Sequence, residues 1–232
     1  MKNNIHSDSR SNSIFAYFCT AMVLGSLWGF FEVFFKDVLG MGGKPFASAI
    51  MTGIGIAVMS TGYGLYKKHG VFITVTVFTI ITRMLVVPVL GCSPICRANS
   101  VVALLLLGSS VTLAFGIHER LMNGNMAIGG LVAGSGVIIS GMVFYYAGMV
   151  CAPCPYLLTY SVPGGFAAFI KTEVLYWAFF STISFYPGYI LGNSIRSTLS
   201  YLHSSRPGLY YTGIISASFA MMICTGLILT VH

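Results

Sequence analysis

The sequence predicts an all-α integral membrane protein, a compact bundle of six to seven transmembrane helices with its N-terminus in the cytoplasm. Hydrophobic residues make up 56% of the 232 positions and charged residues only 7%, and the mean hydropathy of +0.86 is far above that of a soluble domain. Apolar runs almost free of charge recur along the chain, most of them close to the ~20 residues that cross a bilayer as a helix. Basic residues between the runs sort by side. Lys2, Arg10, Lys67, Lys68, Arg120, Arg196 and Arg206 fall in one set of alternate loops, and Lys36, Lys44 and Arg97 in the other. The positive-inside bias makes the first set cytoplasmic.

The runs lie near 14–35, 46–66, 71–90, 101–117, 126–150, 166–192 and 210–231. Residues 1–13, MKNNIHSDSRSNS, are polar and unpatterned and are expected to be a disordered cytoplasmic segment. Residues 14–232 then form a single transmembrane domain. The first run lacks a small-residue cleavage site and passes directly into Lys36-Asp37, so it reads as a span and not as a signal peptide. The run at 101–117 is short for a bilayer, and Tyr186-Pro187-Gly188 interrupts the sixth, which leaves six spans plus an irregular segment as the alternative to seven.

Several function classes are disfavoured at once. The net charge of +7 is scattered one or two residues to a loop, without the basic, aromatic-interleaved patch of a nucleic-acid surface. No GxxxxGK[ST], HExxH, GxSxG or EF-hand pattern occurs. No cofactor and no metal are expected, and any ATP hydrolysis would come from partner subunits. A transport component fits better than an enzyme.

Four ionisable residues fall inside the runs: Glu32, Arg83, Lys171 and Glu173. Each costs on the order of 2.5–3.5 kcal/mol at a helix centre, so each calls for a reason. At about 1.5 Å rise per residue, all four lie roughly 5–10 Å below the outer end of their helix. Two readings follow. Arg83 pairs with Glu32 or Glu173 while Lys171 reaches the headgroups, or the four line a polar pocket in the outer half of the bundle, beneath loops one, three and five. Asn99, Tyr176 and Trp177 fall at the same level and join the candidate substrate-binding residues, with Tyr145, Tyr146, Tyr156 and Tyr160 nearby.

Four of the six cysteines form two close pairs, Cys92 and Cys96 in GCSPICR, Cys151 and Cys154 in CAPCP. The charge-derived topology puts both pairs outside. Disulfides that hold the loops are the first expectation there, with pairing within or between loops left open. Thiol-disulfide exchange, with Arg97 beside Cys96, is the second, and would make the chain a membrane thiol oxidoreductase. Four thiolates on Zn²⁺ is the third. Cys19 and Cys224 lie within apolar helices and read as small hydrophobes.

Small residues form seams. The first helix carries Ala21, Gly25 and Gly29 at four-residue spacing, a stripe that admits another helix from this chain or from a partner. The second and fifth helices are also glycine-rich, as for tight internal packing.

LGSLWGFFE (24–32), KPFASAIMTGIGIAVMSTGYGLYKKHG (44–70) and a following helix with one deep basic residue resemble the substrate-binding S components of energy-coupling-factor vitamin transporters over roughly residues 20–145. That resemblance implies a compact bundle in the cell membrane that binds a vitamin or precursor in its outer half. It implies docking of a transmembrane coupling subunit on the stripe Ala21, Gly25 and Gly29, with ATPase subunits beyond it. The seventh run and the paired loop cysteines depart from that family. A scaffold role, needing only the packing faces, is the third function class.

Overall fold

A computed structural model describes residues 4–35, 46–86, 94–121, 125–151, 153 and 155–231, with side chains over 14–35, 46–84, 98–121, 125–150, 153 and 156–227. Among the described residues every regular element is helical: α1 (Asn4–Val33), α2 (Ala47–Tyr66), α3 (Gly70–Val86), α4 (Pro94–Leu121), a 3-10 turn (Met126–Ile128), α5 (Gly129–Cys151), α6 (Pro155–Leu158), α7 (Gly165–Phe169), a π-helical turn (Ile170–Val174), α8 (Leu175–Ser205) and α9 (Pro207–Val231). Six stretches are long and apolar enough to cross a membrane: Ile14–Val33, Ala47–Tyr66, Ala98–Leu121, Met126–Val150, Gly165–Ser205 and Pro207–Leu227. The chain is an all-α, multi-pass membrane bundle.

Several bounds differ from those read in the sequence. α1 starts at Asn4, so the helix takes in residues placed above in a disordered segment; extending a formed helix needs only one bond per added residue. The short run at 101–117 extends at both ends into α4, because Ala98-Asn99-Ser100 and His118-Glu119-Arg120 stay in the hydrogen-bond ladder despite their polarity. α8 passes straight through Pro187, as proline allows in membrane helices whose freed carbonyl finds other partners. The irregular turn of that segment is instead the π turn at 170–174, and Gly165–Ser205 is one 41-residue apolar stretch. At ~1.5 Å per residue it measures about twice the ~30 Å hydrocarbon core. α3 is the short member, apolar over Gly70–Met84. Its Thr74, Thr76, Thr79 and Thr82 each return the hydroxyl hydrogen to the carbonyl four residues earlier, which leaves few polar groups bare.

Lipid supplies no hydrophobic force between helices, so close van der Waals contact must hold them. α2 and α8 run parallel and in register. Gly53 faces Phe180 and Ser184, and Gly64 faces Tyr189 and Asn193, while Gly188 and Gly192 lie directly on the carbonyls of Ala57 and Thr61. α5 runs antiparallel to α8, with Gly130 and Gly134 against Thr182 and Gly141 against Val174. α1 and α3 run parallel. Gly25 abuts Val75, Phe78 and Thr79, and Gly29 abuts Thr82.

Aromatic rings fill the middle of the bundle. Tyr63 stacks on Phe72 at 5.3 Å and Phe115 on Phe185 at 5.3 Å, with Tyr189 on the far face of Phe185 at 5.9 Å. A smaller cluster of Phe144, Leu157, Phe169 and Val174 packs near the CAPCP end of α5. α9 lies against α1, where the Thr20 and Tyr210 hydroxyls meet at 3.0 Å.

A Cβ at Gly188 would run into the Ala57 carbonyl and the Ser60 hydroxyl, and one at Gly192 into the Thr61 backbone, whereas Gly213 on α9 has nothing described within 4 Å. Gly188→Ala and Gly192→Ala should each destabilise the bundle by about 1–3 kcal/mol or more, seen as lower melting midpoints in detergent, while Gly213→Ala leaves the midpoint within a degree or two of wild type.

Candidate functional site

The alternating helix directions bring the ends of α1 and α3 to the same level as the starts of α2 and α4 and the π turn before α8. In-register contacts fix this end: Glu32 on Arg83, Ser48 on Glu173, and Asn99 across from Gly148. It is the end at which the sequence placed its intramembrane charges.

Arg83 Nη1 lies 3.0 Å from Glu32 Oε1, and the two side chains are 9% and 18% exposed. The first alternative read from the sequence, a buried ion pair, is thus met with Glu32 as the partner. Parallel packing of α1 on α3 through Gly25 and Gly29 sets this pair, since both helices arrive at the same height. The pair is only half used on the acid side. Glu32 Oε2 is buried and accepts no hydrogen bond from the described residues, and a buried polar oxygen without a donor costs roughly 1–3 kcal/mol.

A second group forms around the π turn. The Trp177 indole N–H donates to Ser48 Oγ at 3.0 Å, and the Ser48 hydroxyl donates to Glu173 Oε2 at 2.8 Å. The Tyr160 hydroxyl reaches Glu173 Oε1 at 3.5 Å and Thr172 Oγ1 at 3.1 Å. The π turn carries the Leu175 N–H to the Ile170 carbonyl, an i→i+5 bond that widens the turn. In an α-helix two steps of four residues drift about 80° off a face. The wider turn removes much of that drift, so Phe169, Glu173 and Trp177 stand on one side, with the Phe169 and Trp177 rings 5.6 Å apart edge to face. Tyr160 packs on Phe169 at 5.3 Å.

The structure thus brings together Glu32 with Arg83, and Glu173 with Trp177 through Ser48. No ion pair joins the two groups among the described residues. Tyr176 is exposed and meets Phe46 edge to face at 4.6 Å. Lys171 is exposed. Ala21 is fully buried, and the stripe it forms with Gly25 and Gly29 is occupied by α3 at the two glycines. Cys92 and Cys154 lie outside the described residues, as do the side chains of Cys96 and Cys151, so the pairing and redox readings fall outside them too. Cys19 and Cys224 are free thiols, Cys19 buried and Cys224 exposed.

A polar node at the opposite end went unread in the sequence. Glu119 accepts from the Tyr63 hydroxyl at 2.9 Å on one oxygen and lies 2.8 Å from His69 Nδ1 on the other. Lys67 donates to the Tyr189 hydroxyl at 2.6 Å, with its ammonium 4.0 Å from the ring centre. Glu119 stands beside Arg120 at a helix end, a pattern that reads as solvated. The Tyr63 hydroxyl, buried on an apolar helix and in need of an acceptor, was the available signal.

Compared with protein-family models, with curated proteins and with solved structures, the chain matches none.

Arg83→Met strands Glu32 as an uncompensated buried charge and should cost about 3–5 kcal/mol. The double variant Arg83→Met/Glu32→Leu removes both charges and should recover most of that loss. Thermal unfolding of the purified variants in detergent measures both.

Proposed function

We propose that this chain is a membrane-embedded binding subunit for uptake of a small water-soluble metabolite, a vitamin or precursor, held in the outer half of the bundle beneath loops one, three and five. The observation that carries the proposal is the unserved Glu32 Oε2, half of an ion pair set among membrane spans, where a ligand's N–H or O–H would supply the missing donor. The Ser48, Glu173 and Trp177 network at the same end adds a second polar surface. Ionisable groups inside spans face bundle interiors and mark substrate pathways, which a scaffold role does not require.

The resemblance to energy-coupling-factor S components agrees with this reading and supplies its partners, a transmembrane coupling subunit and ATPase subunits. The basic-residue bias places the candidate site on the outer side of the cell membrane, with the N-terminus inside. Ala21, Gly25 and Gly29 are buried inside the bundle, so on this reading a coupling subunit would dock on another of its faces.

Melting midpoints of the purified chain against a library of water-soluble metabolites test the proposal. At least one compound should raise the midpoint by several degrees, as expected for a ligand well above its Kd, and Arg83→Met/Glu32→Leu should abolish the shift while remaining folded. A library without effect, or a shift that the double variant retains, counts against it.

A further inference from the structure

We infer that the metabolite is a cation, an amine or other positively charged nitrogen, and that Glu173 and the aromatic rings beside it hold that charge. This rests on the binding-subunit reading above and names its ligand class.

The inference comes from a charge count at this end of the bundle. Arg83 is already engaged by Glu32 at 3.0 Å, so it is not available to an incoming anion. Among the described residues Glu173 has no cation within 4.0 Å; its partners there are the neutral hydroxyls of Ser48 and Tyr160. Ser48 accepts from Trp177 and so turns its own hydrogen to the acid. Lys171 is the nearest basic residue in sequence, but a two-residue offset faces it away from Glu173, and its side chain is exposed. Lys36, Lys44 and Arg97 fall outside the described side chains and are not counted. The described layer therefore carries two carboxylates against two bases, Arg83 engaged by Glu32 and Lys171 exposed and offset from Glu173.

Carboxylates inside a membrane are costly unless a cation meets them. Glu173 is the one in this layer that lacks such a partner among the described residues. Its surroundings suit an organic cation better than a bare metal ion. The Tyr160 hydroxyl reaches the carboxylate directly and the Trp177 indole reaches it through Ser48, with Phe169 packed on both rings, and an aromatic ring attracts an ammonium by its quadrupole with about 0.5–2 kcal/mol. A phosphate or carboxylate ligand set beside Glu173 would meet that acid and none of the described bases.

The probes are four molecules of one ring skeleton: benzylamine, benzyltrimethylammonium, benzyl alcohol and benzoate. Each is titrated into the full chain in detergent micelles, following tryptophan fluorescence and the melting midpoint. The two cations should bind saturably, with the alcohol and the acid weaker by about tenfold or more, and Glu173→Gln should weaken the cations by about the same factor. The glutamine amide oxygen still accepts from Ser48, so gel filtration and melting should show the fold kept. Glu119→Gln, an acid at the far end, should leave cation binding unchanged and so separates Glu173 from general attraction to acids. Equal binding of benzoate or benzyl alcohol, an unaffected Glu173→Gln, or no binding by any probe overturns the inference. A library metabolite that binds but is neutral or anionic overturns it while the binding-subunit reading stands; a library without any binder removes both.

Discussion

How closely α2 and α8 approach governs most of what lies around them. Their backbones meet at Gly188 and Gly192, where side-chain hydrogen is all that separates one helix from the other's carbonyls. Contact at that range is unforgiving of sliding, and it locks a parallel register from Gly64 at one end to Ser48 at the other. Ser48 meets Glu173 because of that register, 125 positions away in sequence. The polar group at the π turn is therefore a product of glycine placement about four and five turns away along α8. The same logic holds for α1 and α3, whose glycine contacts bring Glu32 level with Arg83.

The two ends of the bundle treat their acids differently. Glu119 has both oxygens served, one by a buried tyrosine and one by a histidine at the surface; it ties α4 to the turn between α2 and α3. At the other end, among the described residues, Glu32 leaves an oxygen without a donor and Glu173 has only neutral partners. A structural tie satisfies its members, because partly satisfied buried networks are the expensive kind. On the proposed binding role, the contrast separates an end that ties the bundle together from the end at which a ligand would be held.

Much of this was legible in the sequence, for identifiable reasons. Hydropathy located every long helix, because lipid admits no other backbone arrangement than helices or closed barrels. Helix direction and rise placed Glu32, Arg83 and Glu173 in one layer. What stayed hidden depended on azimuth. Small-residue spacing showed that Gly25 and Gly29 admit a neighbour but not which one, and α3 took the place. Pro187-Gly188 read as a break because proline usually ends helices in water; here the glycine serves the α2 contact, and the helix continues. The π turn has no compositional mark at all, so the alignment of Phe169, Glu173 and Trp177 could only be seen in three dimensions. Ser48 was passed over because a lone serine in an apolar run has no distinguishing pattern until its partner's register is known.

The π turn also bears on how this segment tolerates length change. It is one residue longer than the α turn it replaces, and each residue in an α-helix advances the chain by about 100°. Loss of one residue anywhere in 170–174 would let the turn relax to α geometry with its hydrogen bonds intact, at little cost to the helix. Phe169 would then stand seven residues from Trp177, and seven α-helical steps fall within about 20° of two full turns, so the two rings would stay on one face. A single-codon deletion here would thus preserve the membrane span, its hydropathy and the ring contact, and the residue whose loss would be felt is Glu173, which alone in the turn meets Ser48.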